Sequence, residues 1–331
     1  MHVVRLHGSG DLRLHAEPIP VPAAGESLLR VKAVGVCGSD LHWFAEGGIG
    51  DAQLDKPLIL GHEFAGITQN GERVAADPAI PCLACEFCLE GNPNLCNKLR
   101  FAGHEAEDGA LREMISWPER CLYPLPDALS DADGALLEPL GVAMHAVDLA
   151  HLKPGMSVGI FGCGPIGLLT LQVARALGAT QIIATDKLAH RMEAAQAMGA
   201  TQVFLSHDGS ENAEVWAASG ESGVHVAFDC AGENAAVDTS IAAARAGGKV
   251  ILVGIPADDW TGFTASIARR KGLTLKLCRR MKHTYPRAIR LVEQGLIDLR
   301  SLVTHRFPLA EAAKAFATAQ RKEGIKVVIE P

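Results

Sequence analysis

The sequence predicts an α/β protein in which a six-stranded parallel sheet accompanies a second, mostly β region. Three observations support this prediction: the length of 331 residues, the alternation of apolar runs with helical stretches in the second half, and a glycine-rich turn where that alternation begins. At about 150 residues per domain, the length suits two domains. Hydrophobic residues make up 48% of the chain and charged residues 21%, which supplies a sizeable core.

Six apolar runs in the second half have the length of strands, and the amphipathic stretches between them have the length of helices. Strands and helices that alternate at this spacing form βαβ units with a parallel sheet. Six strands complete a doubly wound fold of the kind that binds dinucleotides. The predicted strands are Ser157–Phe161, Gln181–Thr185, Gln202–Leu205, Val224–Asp229, Lys249–Val253 and Leu273–Leu277, and the predicted helices include Ile166–Leu177, Ala189–Met198 and Ala235–Ala246.

The regions before and after this alternation have a different pattern. In the first ~140 residues, short β-like runs (Ser27–Val36 and Leu58–Ile67) alternate with Gly/Pro clusters, which is typical of a mostly β domain with long loops. The last ~55 residues contain two helical stretches and a terminal strand, Lys326–Ile329, that we expect to rejoin the first domain. The predicted boundaries are 1–140, 141–277 and 278–331, with the last segment returning to the first.

Charge, cysteine number and hydropathy disfavour several classes of protein. The net charge of −7, spread without long runs, argues against nucleic acid or an anionic membrane as a partner. Nine cysteines, an odd number in a long chain, fit reduced thiols better than a disulfide framework. The N-terminus lacks the apolar segment of a signal peptide, and the uncharged stretch Pro154–Ala174 holds five glycines and two prolines, which disfavours a membrane span. We expect a cytoplasmic protein.

A turn of the pattern G-x-G-x-x-G follows the first predicted strand and opens a helix. Gly162 permits the tight turn, Gly164 lets a pyrophosphate approach the backbone, and Gly167 lets helix and strand pack closely. The start of the helix offers free N–H groups and a positive dipole end to phosphates. The alternative is a glycine-rich turn that binds no ligand, which the strand and helix around this motif disfavour.

Asp186 ends the next predicted strand, nineteen residues after Gly167. A carboxylate at this place accepts hydrogen bonds from the adenosine ribose hydroxyls and repels a 2′-phosphate, which favours NAD over NADP. Lys187 and Arg191 lie close by in the sequence, and a basic residue there can accommodate a 2′-phosphate. The sequence therefore predicts NAD as the cofactor and leaves NADP as the less favoured alternative.

Four cysteines lie close together in one loop, with the spacing C-x2-C-x2-C-x7-C. Four thiolates close a tetrahedral zinc shell without a vacant position, which suits a structural rather than a catalytic metal. An iron–sulfur cluster or free thiols are the alternatives, but the loop is charged and no second cysteine group is present for electron relay. The predicted structural zinc ligands are Cys82, Cys85, Cys88 and Cys96.

A second group of residues has the chemistry of an open metal site. Cys37 and His62 supply a thiolate and an imidazole, and Glu63 or Glu138 supplies a carboxylate. Three protein ligands leave the fourth position for water or substrate, which is the arrangement of a catalytic zinc. Each residue has an ordinary alternative, since a buried Cys is usually a small hydrophobe and a lone His usually bonds the backbone. Their joint presence with a dinucleotide-type fold favours the metal.

Together these motifs resemble the zinc-dependent medium-chain alcohol dehydrogenases, in particular the polyol branch of sorbitol, xylitol and L-idonate 5-dehydrogenases. The resemblance covers essentially the whole chain and implies a Rossmann cofactor domain with a mostly β, GroES-like catalytic domain. Position 138 is Glu, where the liver-type enzymes have a cysteine ligand, and this places the chain with the polyol branch. The matching segments are Val36–His42, Gly47–Gly50, Leu60–Gly66, the four-cysteine loop, Leu137–Leu140, Gly162–Gly167 and Val303–Leu309.

The resemblance also implies roles for residues of the catalytic domain. Cys37 and His62 match the invariant part of the catalytic zinc shell, while two carboxylates share the remaining place, one bonding zinc directly and the other through water or by exchange. The relay that carries the alcohol proton to solvent is expected to be Ser39 and His42, with Asp40 as the partner behind the ligands. The two carboxylates are Glu63 and Glu138.

Substrate, cofactor and assembly expectations follow from the same resemblance. Trp43 matches an aromatic residue that lines the substrate cleft, and Arg280 matches a basic residue near the substrate hydroxyls. We expect two zinc ions per chain, NAD, a polyol or sugar-acid substrate, and a homo-dimer or homo-tetramer. The strand Lys249–Val253 with the segment after it is a candidate interface, the alternative for this strand being plain core. The expected cofactor contacts are Gly162, Gly164, Pro165, Ile166, Gly167, Asp186, Arg191, Val253 and Ile255.

Two loops depart from the polyol pattern and leave alternatives open. Gly48 stands where a basic residue is common, and Ala102–Asp108 is more acidic than expected. An acidic loop suits an amino group, so L-threonine 3-dehydrogenase is an alternative, as is a simple secondary alcohol dehydrogenase. A zinc-free quinone or enoyl reductase is disfavoured because the catalytic ligand set is intact. A non-enzymatic dinucleotide sensor would not need both metal sites.

Overall fold

The computed structural model describes residues 1–207, 209 and 211–331. The chain divides into two compact units, one formed by residues 1–139 with 282–331 and the other by residues 140–281. The second unit thus interrupts the first, which is built from the two ends of the chain. Within the described part of the chain, no helix has both the length and the apolar character that crossing a lipid bilayer requires.

The N-terminal segment consists of short strands and few helices, separated by long loops. Its glycine- and proline-rich sequence explains this pattern, because both residue types interrupt regular structure. The strands are β1 (His2–Leu6), β2 (Leu12–Ala16), β3 (Glu26–Gly35), β4 (Gly48–Ile49), β5 (Ala52–Gln53), β6 (Glu63–Thr68), β7 (Arg73–Ala76), β8 (Ala79–Ile80), β9 (Arg100–Phe101), β10 (Met114–Pro118) and β11 (Leu122–Pro124), and the helices are α1 (Gly38–Glu46), α2 (Glu86–Leu89) and α3 (Asp131–Ala150).

The second unit alternates strands and helices, as the sequence predicts. Its six strands form one sheet with the order β14-β13-β12-β15-β16-β17, and all neighbours in the sheet are parallel. This order is that of a complete doubly wound dinucleotide-binding sheet. The elements are β12 (Ser157–Phe161), α4 (Pro165–Ala176), β13 (Gln181–Asp186), α5 (Ala189–Ala197), β14 (Gln202–Leu205), α6 (Asn212–Ala218), β15 (Val224–Asp229), α7 (Asn234–Ala243), β16 (Ala244–Leu252), α8 (Ala265–Lys271) and β17 (Thr274–Leu277).

The C-terminal segment returns to the first unit and completes its main sheet. The last strand pairs antiparallel with β3, which belongs to the N-terminal segment, and parallel with the strand before it. The resulting seven-stranded sheet has the order β11-β7-β6-β3-β19-β18, and β10 also pairs with β3. The C-terminal elements are α9 (Tyr285–Glu293), β18 (Val303–Pro308), α10 (Ala312–Gln320) and β19 (Lys326–Glu330).

Each unit has its own hydrophobic core. In the first unit, Leu29 and Val31 of β3 pack in a cluster with Phe64 and Trp117, whose rings meet edge to face at 5.6 Å. In the second unit, strand side chains such as Phe161 are buried beneath the flanking helices. Full burial of a side chain of this size stabilises the fold by roughly 1.5–3 kcal/mol. These cores fix the strand ends that carry the chemistry.

The structure corrects the sequence predictions at several places, including the predicted strand Lys249–Val253, which spans Ala244–Leu252. Helix α7 ends at Ala243, so residues 244–246 of the predicted helix Ala235–Ala246 are strand, because Ala244 pairs with Val224. In the predicted run Leu58–Ile67, the strand begins only at Glu63; Leu58 forms an isolated bridge with Leu6 of β1, and the carbonyls of residues 59–61 accept hydrogen bonds from the loop backbone of residues 109–111. The predicted elements also omitted several strands of the first unit, among them β18, which pairs with β19 and whose side chains alternate in exposure because they point to opposite faces of the sheet.

The strand proposed as a subunit contact is internal to its sheet. Strand β16 hydrogen-bonds to β15 on one side and to β17 on the other, and its Val250 and Ile251 are fully buried. Its edges and these two side chains are therefore not available to another chain, and its apolar character serves the core. The segment that follows is different, because Ile255 and Trp260 are exposed there.

Candidate active site and metal centres

The turn between β3 and α1 places a thiol and a carboxylate at the base of one site. Cys37 is the N-cap residue of α1, and its backbone N–H donates to Asp40 Oδ2 over 3.0 Å. The other oxygen of Asp40 accepts from the Gly61 N–H (3.2 Å) and lies 3.3 Å from His62 Nδ1. Asp40 thus orients the imidazole through Nδ1 and leaves Nε2 as the nitrogen available to a metal, which is how carboxylates support metal-bound histidines.

Three different donor atoms meet at this point. The side-chain ligand atoms of Cys37, His62 and Glu63 all lie within 4.8 Å of one another, and both His62 and Glu63 are buried. Gly35 makes room for them, because a Cβ there would overlap the Glu63 carboxylate. A thiolate, an imidazole and a carboxylate are the donor types of a three-ligand zinc site with one open position. The residues therefore fit the predicted catalytic zinc.

The charges of Asp40, His62 and Cys37 influence one another because the three residues are close together and His62 and Asp40 are buried. Burial disfavours the charged form of His62, but the neighbouring Asp40 and Cys37 outweigh it and hold the pKa of His62 well above its usual value. Burial likewise acts to raise the pKa of Asp40, yet His62 and the backbone donors leave that pKa below its usual value. Asp40 thus remains a carboxylate that accepts a hydrogen bond from the imidazole.

A buried lysine completes this network, and sequence reasoning missed it. Lys326 is 2% exposed, and its Nζ lies 2.6 Å from Glu63 Oε1 and donates to the Val36 carbonyl over 2.9 Å. Burial acts to lower the pKa of Lys326, but the charges of Glu63 and Cys37 raise it, so the ammonium form persists. No spacing pattern could have shown this pair, because 263 residues separate the two partners.

Glu138 lies in α3 near this network but outside the ligand group. Its carboxyl is buried, and burial raises its pKa to about 7, with His62 acting to lower it and Glu63 to raise it. Among the residues that the structure describes, the group close enough to share one ion consists of Cys37, His62 and Glu63. Glu63 therefore has the geometry of a direct ligand, while the zinc role of Glu138 stays a prediction.

The predicted relay residues lie on one face of α1. Ser39 Oγ is 3.5 Å from His62 Nε2, and His42 Nδ1 is 3.2 Å from Glu46 Oε1. Residues three apart on a helix are neighbours on its surface, so Ser39 and His42 stand one above the other. The hydroxyl therefore borders the ligand group, and the half-buried imidazole lies one turn further along the same helix.

An aromatic wall adjoins the ligand group. The Phe101 ring centroid is 5.3 Å from that of His62 and 6.5 Å from that of His104. Trp43 meets His104 edge to face at 5.5 Å, and its own side chain is 1% exposed. Trp43 thus lies in the core behind His104. Its predicted contact with substrate stays a prediction, and the sequence did not single out Phe101 or His104.

The acidic loop Ala102–Asp108 is largely neutralised by arginines. Glu107 receives two hydrogen bonds from Arg100 (2.8 and 2.9 Å), and Asp108 receives two from Arg5 (3.0 and 2.9 Å). Asp108 also accepts from the Ile59 N–H over 3.1 Å. These two carboxylates hold the loop in place and are therefore not evidence for a cationic substrate.

The four-cysteine loop lies between the paired strands β8 and β9. The ligand sulfurs of Cys82, Cys85, Cys88 and Cys96 all lie within 4.8 Å of one another. Backbone N–H donors of Ala84 and Cys85 lower the pKa of Cys82 to about 6, which favours a thiolate, whereas desolvation and the neighbouring Cys85 thiol raise the pKa of Cys88 to about 12. The Cys82 N–H also points at Cys96 Sγ, over 3.3 Å. Four converging sulfurs without an open position fit a structural zinc.

The glycine turn of the second unit has the shape of a phosphate cradle. Gly162 has φ 98°, and a Cβ on Gly167 would overlap the Gly162 carbonyl oxygen. At Gly164, the N-cap of α4, a Cβ would come near only the Arg191 guanidinium, at 3.6 Å. Pro165 and Ile166 then form the first turn of α4. The open space at the helix start fits a dinucleotide pyrophosphate.

Asp186 stands at the end of β13, where the sequence places it. Its Oδ2 accepts from the Cys163 N–H over 2.7 Å and its Oδ1 from the Leu188 N–H over 2.9 Å. Arg191 Nη1 lies 3.8 Å from Asp186 Oδ2, and the buried Nε of Arg191 has no hydrogen-bond partner. An orphaned guanidinium donor beside the glycine turn is what a bound phosphate would satisfy.

The remaining predicted cofactor and substrate residues lie at loops of the second unit. Val253 and Ile255 follow β16, and the Val253 N–H donates to the Asp229 carbonyl over 2.8 Å. Ile255 is exposed, as an apolar contact to a ligand requires. Arg280 is half-buried, with φ 53°. The contacts of all three with ligands stay predictions.

Comparisons with known proteins agree with this site. Residues 23–127 match the family described as alcohol dehydrogenase GroES-like domain, and residues 165–294 match the family described as zinc-binding dehydrogenase. The sorbitol dehydrogenase of Bacillus subtilis (strain 168) is 34% identical over 343 residues, covering 100% of this chain and 97% of that protein. The chain therefore belongs to the zinc-binding alcohol dehydrogenase family, and the predicted family and fold class are confirmed.

Solved structures extend the likeness to the whole fold. The L-idonate 5-dehydrogenase of Escherichia coli K-12 matches with a TM-score of 0.92 at 26% identity, covering 100% of this chain and 98% of that one. A protein of Sinorhizobium meliloti 1021 described as a zinc-binding dehydrogenase and bound to NADP matches with a TM-score of 0.90 at 31% identity, covering 100% and 99%. A protein of Escherichia coli CFT073 described as a short chain alcohol dehydrogenase and complexed with NADH matches with a TM-score of 0.90 at 26% identity, covering 100% of this chain and 99% of that one.

Proposed function

We propose that this chain is a zinc-dependent dehydrogenase that oxidises a secondary alcohol of a polyol or sugar acid with NAD. The observation that carries the proposal is the meeting of Cys37, His62 and Glu63 within 4.8 Å, in a chain whose other unit holds a dinucleotide cradle. When bound, zinc supplies a Lewis acid for the alcohol oxygen, and NAD supplies the hydride acceptor. The sorbitol dehydrogenase relatives support the polyol class.

The residues of the chain prepare the site for this chemistry. Asp40 fixes the tautomer and orientation of His62, and Lys326 compensates the buried charge of Glu63. Ser39 stands next to the ligand group, where its hydroxyl can take the alcohol proton, and His42 on the same helix face passes it towards solvent. A positioned hydroxyl and an imidazole form a proton path of the usual general acid–base kind.

The structure weakens the case for L-threonine as the substrate. That alternative rested on the acidic loop Ala102–Asp108, and two of its carboxylates are committed to Arg100 and Arg5. A simple secondary alcohol remains the alternative substrate class, because the same ligand group would act on it.

Three further proposals rest on the same site. NAD is favoured over NADP because Asp186, at the end of β13, presents a carboxylate to the ribose. A cytoplasmic location is favoured because all nine cysteines are free thiols, two groups of which have metal-ligand geometry. A homo-dimer or homo-tetramer is favoured by the exposed Leu277 (78%) on β17, at the end of the sheet order.

NADH formation across a substrate panel tests the proposal. The panel contains polyols, sugar acids, L-threonine and short secondary alcohols, each assayed with and without a chelator. We expect turnover with polyols or sugar acids that a chelator abolishes and zinc restores. His62→Ala should lose turnover and keep NADH binding, while His2→Ala, a surface histidine paired with Glu113, should keep both. If His62→Ala still formed NADH in the presence of a chelator, the proposal would be wrong.

A further inference from the structure

Two opposite charges meet beside the adenosine end of the dinucleotide cradle. Lys187 follows Asp186 directly, and its Nζ donates to Glu233 Oε2 over 2.7 Å. Glu233 is the N-cap residue of α7, after β15, but its side chain does not cap that helix. Strands β13 and β15 lie on either side of β12, so Lys187 after β13 and Glu233 after β15 lie at the same edge of the parallel sheet.

Two other charged residues, Asp186 and Arg191, lie at this corner. Both oxygens of Asp186 accept backbone N–H groups, and Arg191 faces the glycine turn at Gly164. Arg191 is therefore placed for the pyrophosphate, which lies at the start of α4. Lys187, next to the ribose-facing carboxylate, is the cation placed to meet a 2′-phosphate.

We propose that Glu233 is a specificity-determining residue that lowers the affinity of the site for NADP. It holds the Lys187 ammonium away from the 2′-phosphate position and adds a negative charge of its own near that position. This inference rests on the proposed function only in that the second unit must bind a dinucleotide. The family includes structures bound to NADP and to NADH, so the choice between them has to come from residues that differ among its members.

The expected effect is moderate, because the pair is only half-buried. The side chains of Lys187 and Glu233 are 49% and 44% exposed, so solvent screens their attraction. Ion pairs of this kind change an equilibrium by about two- to fivefold, and removal of a like charge near the doubly charged phosphate adds to this. Glu233→Gln should therefore bind NADPH roughly three- to tenfold more tightly, with NADH affinity almost unchanged.

Fluorescence titration of NADH and NADPH against the full-length protein measures this directly. A control is Glu221→Gln, since Glu221 is an exposed glutamate that precedes β15 whereas the half-buried Glu233 follows it. Glu221 is thus at the amino end of the strand, away from the cradle. We expect the NADPH-to-NADH affinity ratio to rise in Glu233→Gln and to stay at the wild-type value in Glu221→Gln. If the two variants had the same NADPH-to-NADH affinity ratio, whether or not that ratio differed from the wild-type value, the proposal would be overturned.

A double variant tests whether Lys187 is the group that Glu233 restrains. Adding Lys187→Ala to Glu233→Gln should remove most of the gain in NADPH affinity, because the released ammonium is no longer present. A gain that survives this substitution would overturn the sequestration of Lys187. Wild-type protein that binds neither dinucleotide would instead contradict the proposed function, so the two failures are distinguishable.

Discussion

Substitution of the buried Lys326 by methionine is a severe test of the proposed catalytic centre. The change keeps most of the apolar stem and removes only the ammonium that contacts Glu63 and the Val36 carbonyl. Glu63 is then a fully buried carboxylate without its counter-charge. Breaking a buried pair in this way costs about 3–5 kcal/mol, which corresponds to a Tm drop of roughly 6–20 °C for a unit of this size.

Bound zinc should reduce that loss, because the ion supplies positive charge to the same carboxylate. We therefore expect Lys326→Met to destabilise the metal-free protein more than the zinc-loaded protein in thermal or urea unfolding. Adding Glu63→Gln to Lys326→Met should recover much of the stability of the metal-free form, because no uncompensated charge remains. This rescue separates the electrostatic effect from lost packing.

A surface pair provides the control for this experiment. Lys314 contacts Glu311 over 3.1 Å with the lysine side chain 68% exposed, so Lys314→Met should cost less than about 1 kcal/mol, with or without zinc. The proposed pairing of Lys326 with Glu63 would be refuted if Lys326→Met lost no more stability than Lys314→Met. The proposed link to the metal would be refuted if Lys326→Met lost the same stability with and without zinc.

The remaining predictions concern the other parts of the molecule. Cys88→Ser should lower zinc content from about two ions per chain to about one and lower the Tm, while Cys121→Ser, at a buried cysteine outside the four-cysteine group, should keep both zinc ions even if its Tm falls, as measured by metal analysis and calorimetry. Gly167→Ala should weaken NADH binding by at least about tenfold, since its Cβ meets a backbone carbonyl, and unchanged binding in a titration would contradict the cradle. Burial raises the pKa of Glu138 from 4.5 to about 7, so the folded metal-free protein holds a proton that the unfolded chain has lost, and its stability should fall between about pH 4.5 and 7. Denaturation across this pH range should show a larger loss of stability with rising pH in the wild type than in Glu138→Gln, and the same pH dependence in both would contradict this.

Local patterns predicted the parts of the structure that depend on neighbours in sequence. The strands Ser157–Phe161, Gln202–Leu205 and Val224–Asp229 have the predicted bounds, because apolar runs between turn signals define them. The four cysteines converge as their spacing indicates, since a short loop limits how far ligands can separate. The glycine turn could also be predicted, because it depends only on the strand and the helix that directly precede and follow it in sequence.

Contacts between segments that are distant in sequence could not be predicted, because local sequence patterns do not contain information about them. Lys326 looks like an ordinary residue of a terminal strand, and only the pairing of β19 with β3 carries it to Glu63. For the acidic loop Ala102–Asp108, the Arg5 that neutralises Asp108 is more than a hundred residues away, although the Arg100 that pairs with Glu107 is only seven residues away. In both cases the tertiary fold decides whether a charge is available to a ligand.

The most direct measurement combines zinc stoichiometry with turnover in His62→Ala and the wild type. The account predicts that wild-type protein holds about two zinc ions per chain and oxidises its alcohol, while His62→Ala keeps only the four-cysteine zinc, still binds NADH and has no turnover. A His62→Ala protein that retains both zinc ions, or that oxidises alcohol at the wild-type rate with only one, would contradict the assignment of the catalytic centre.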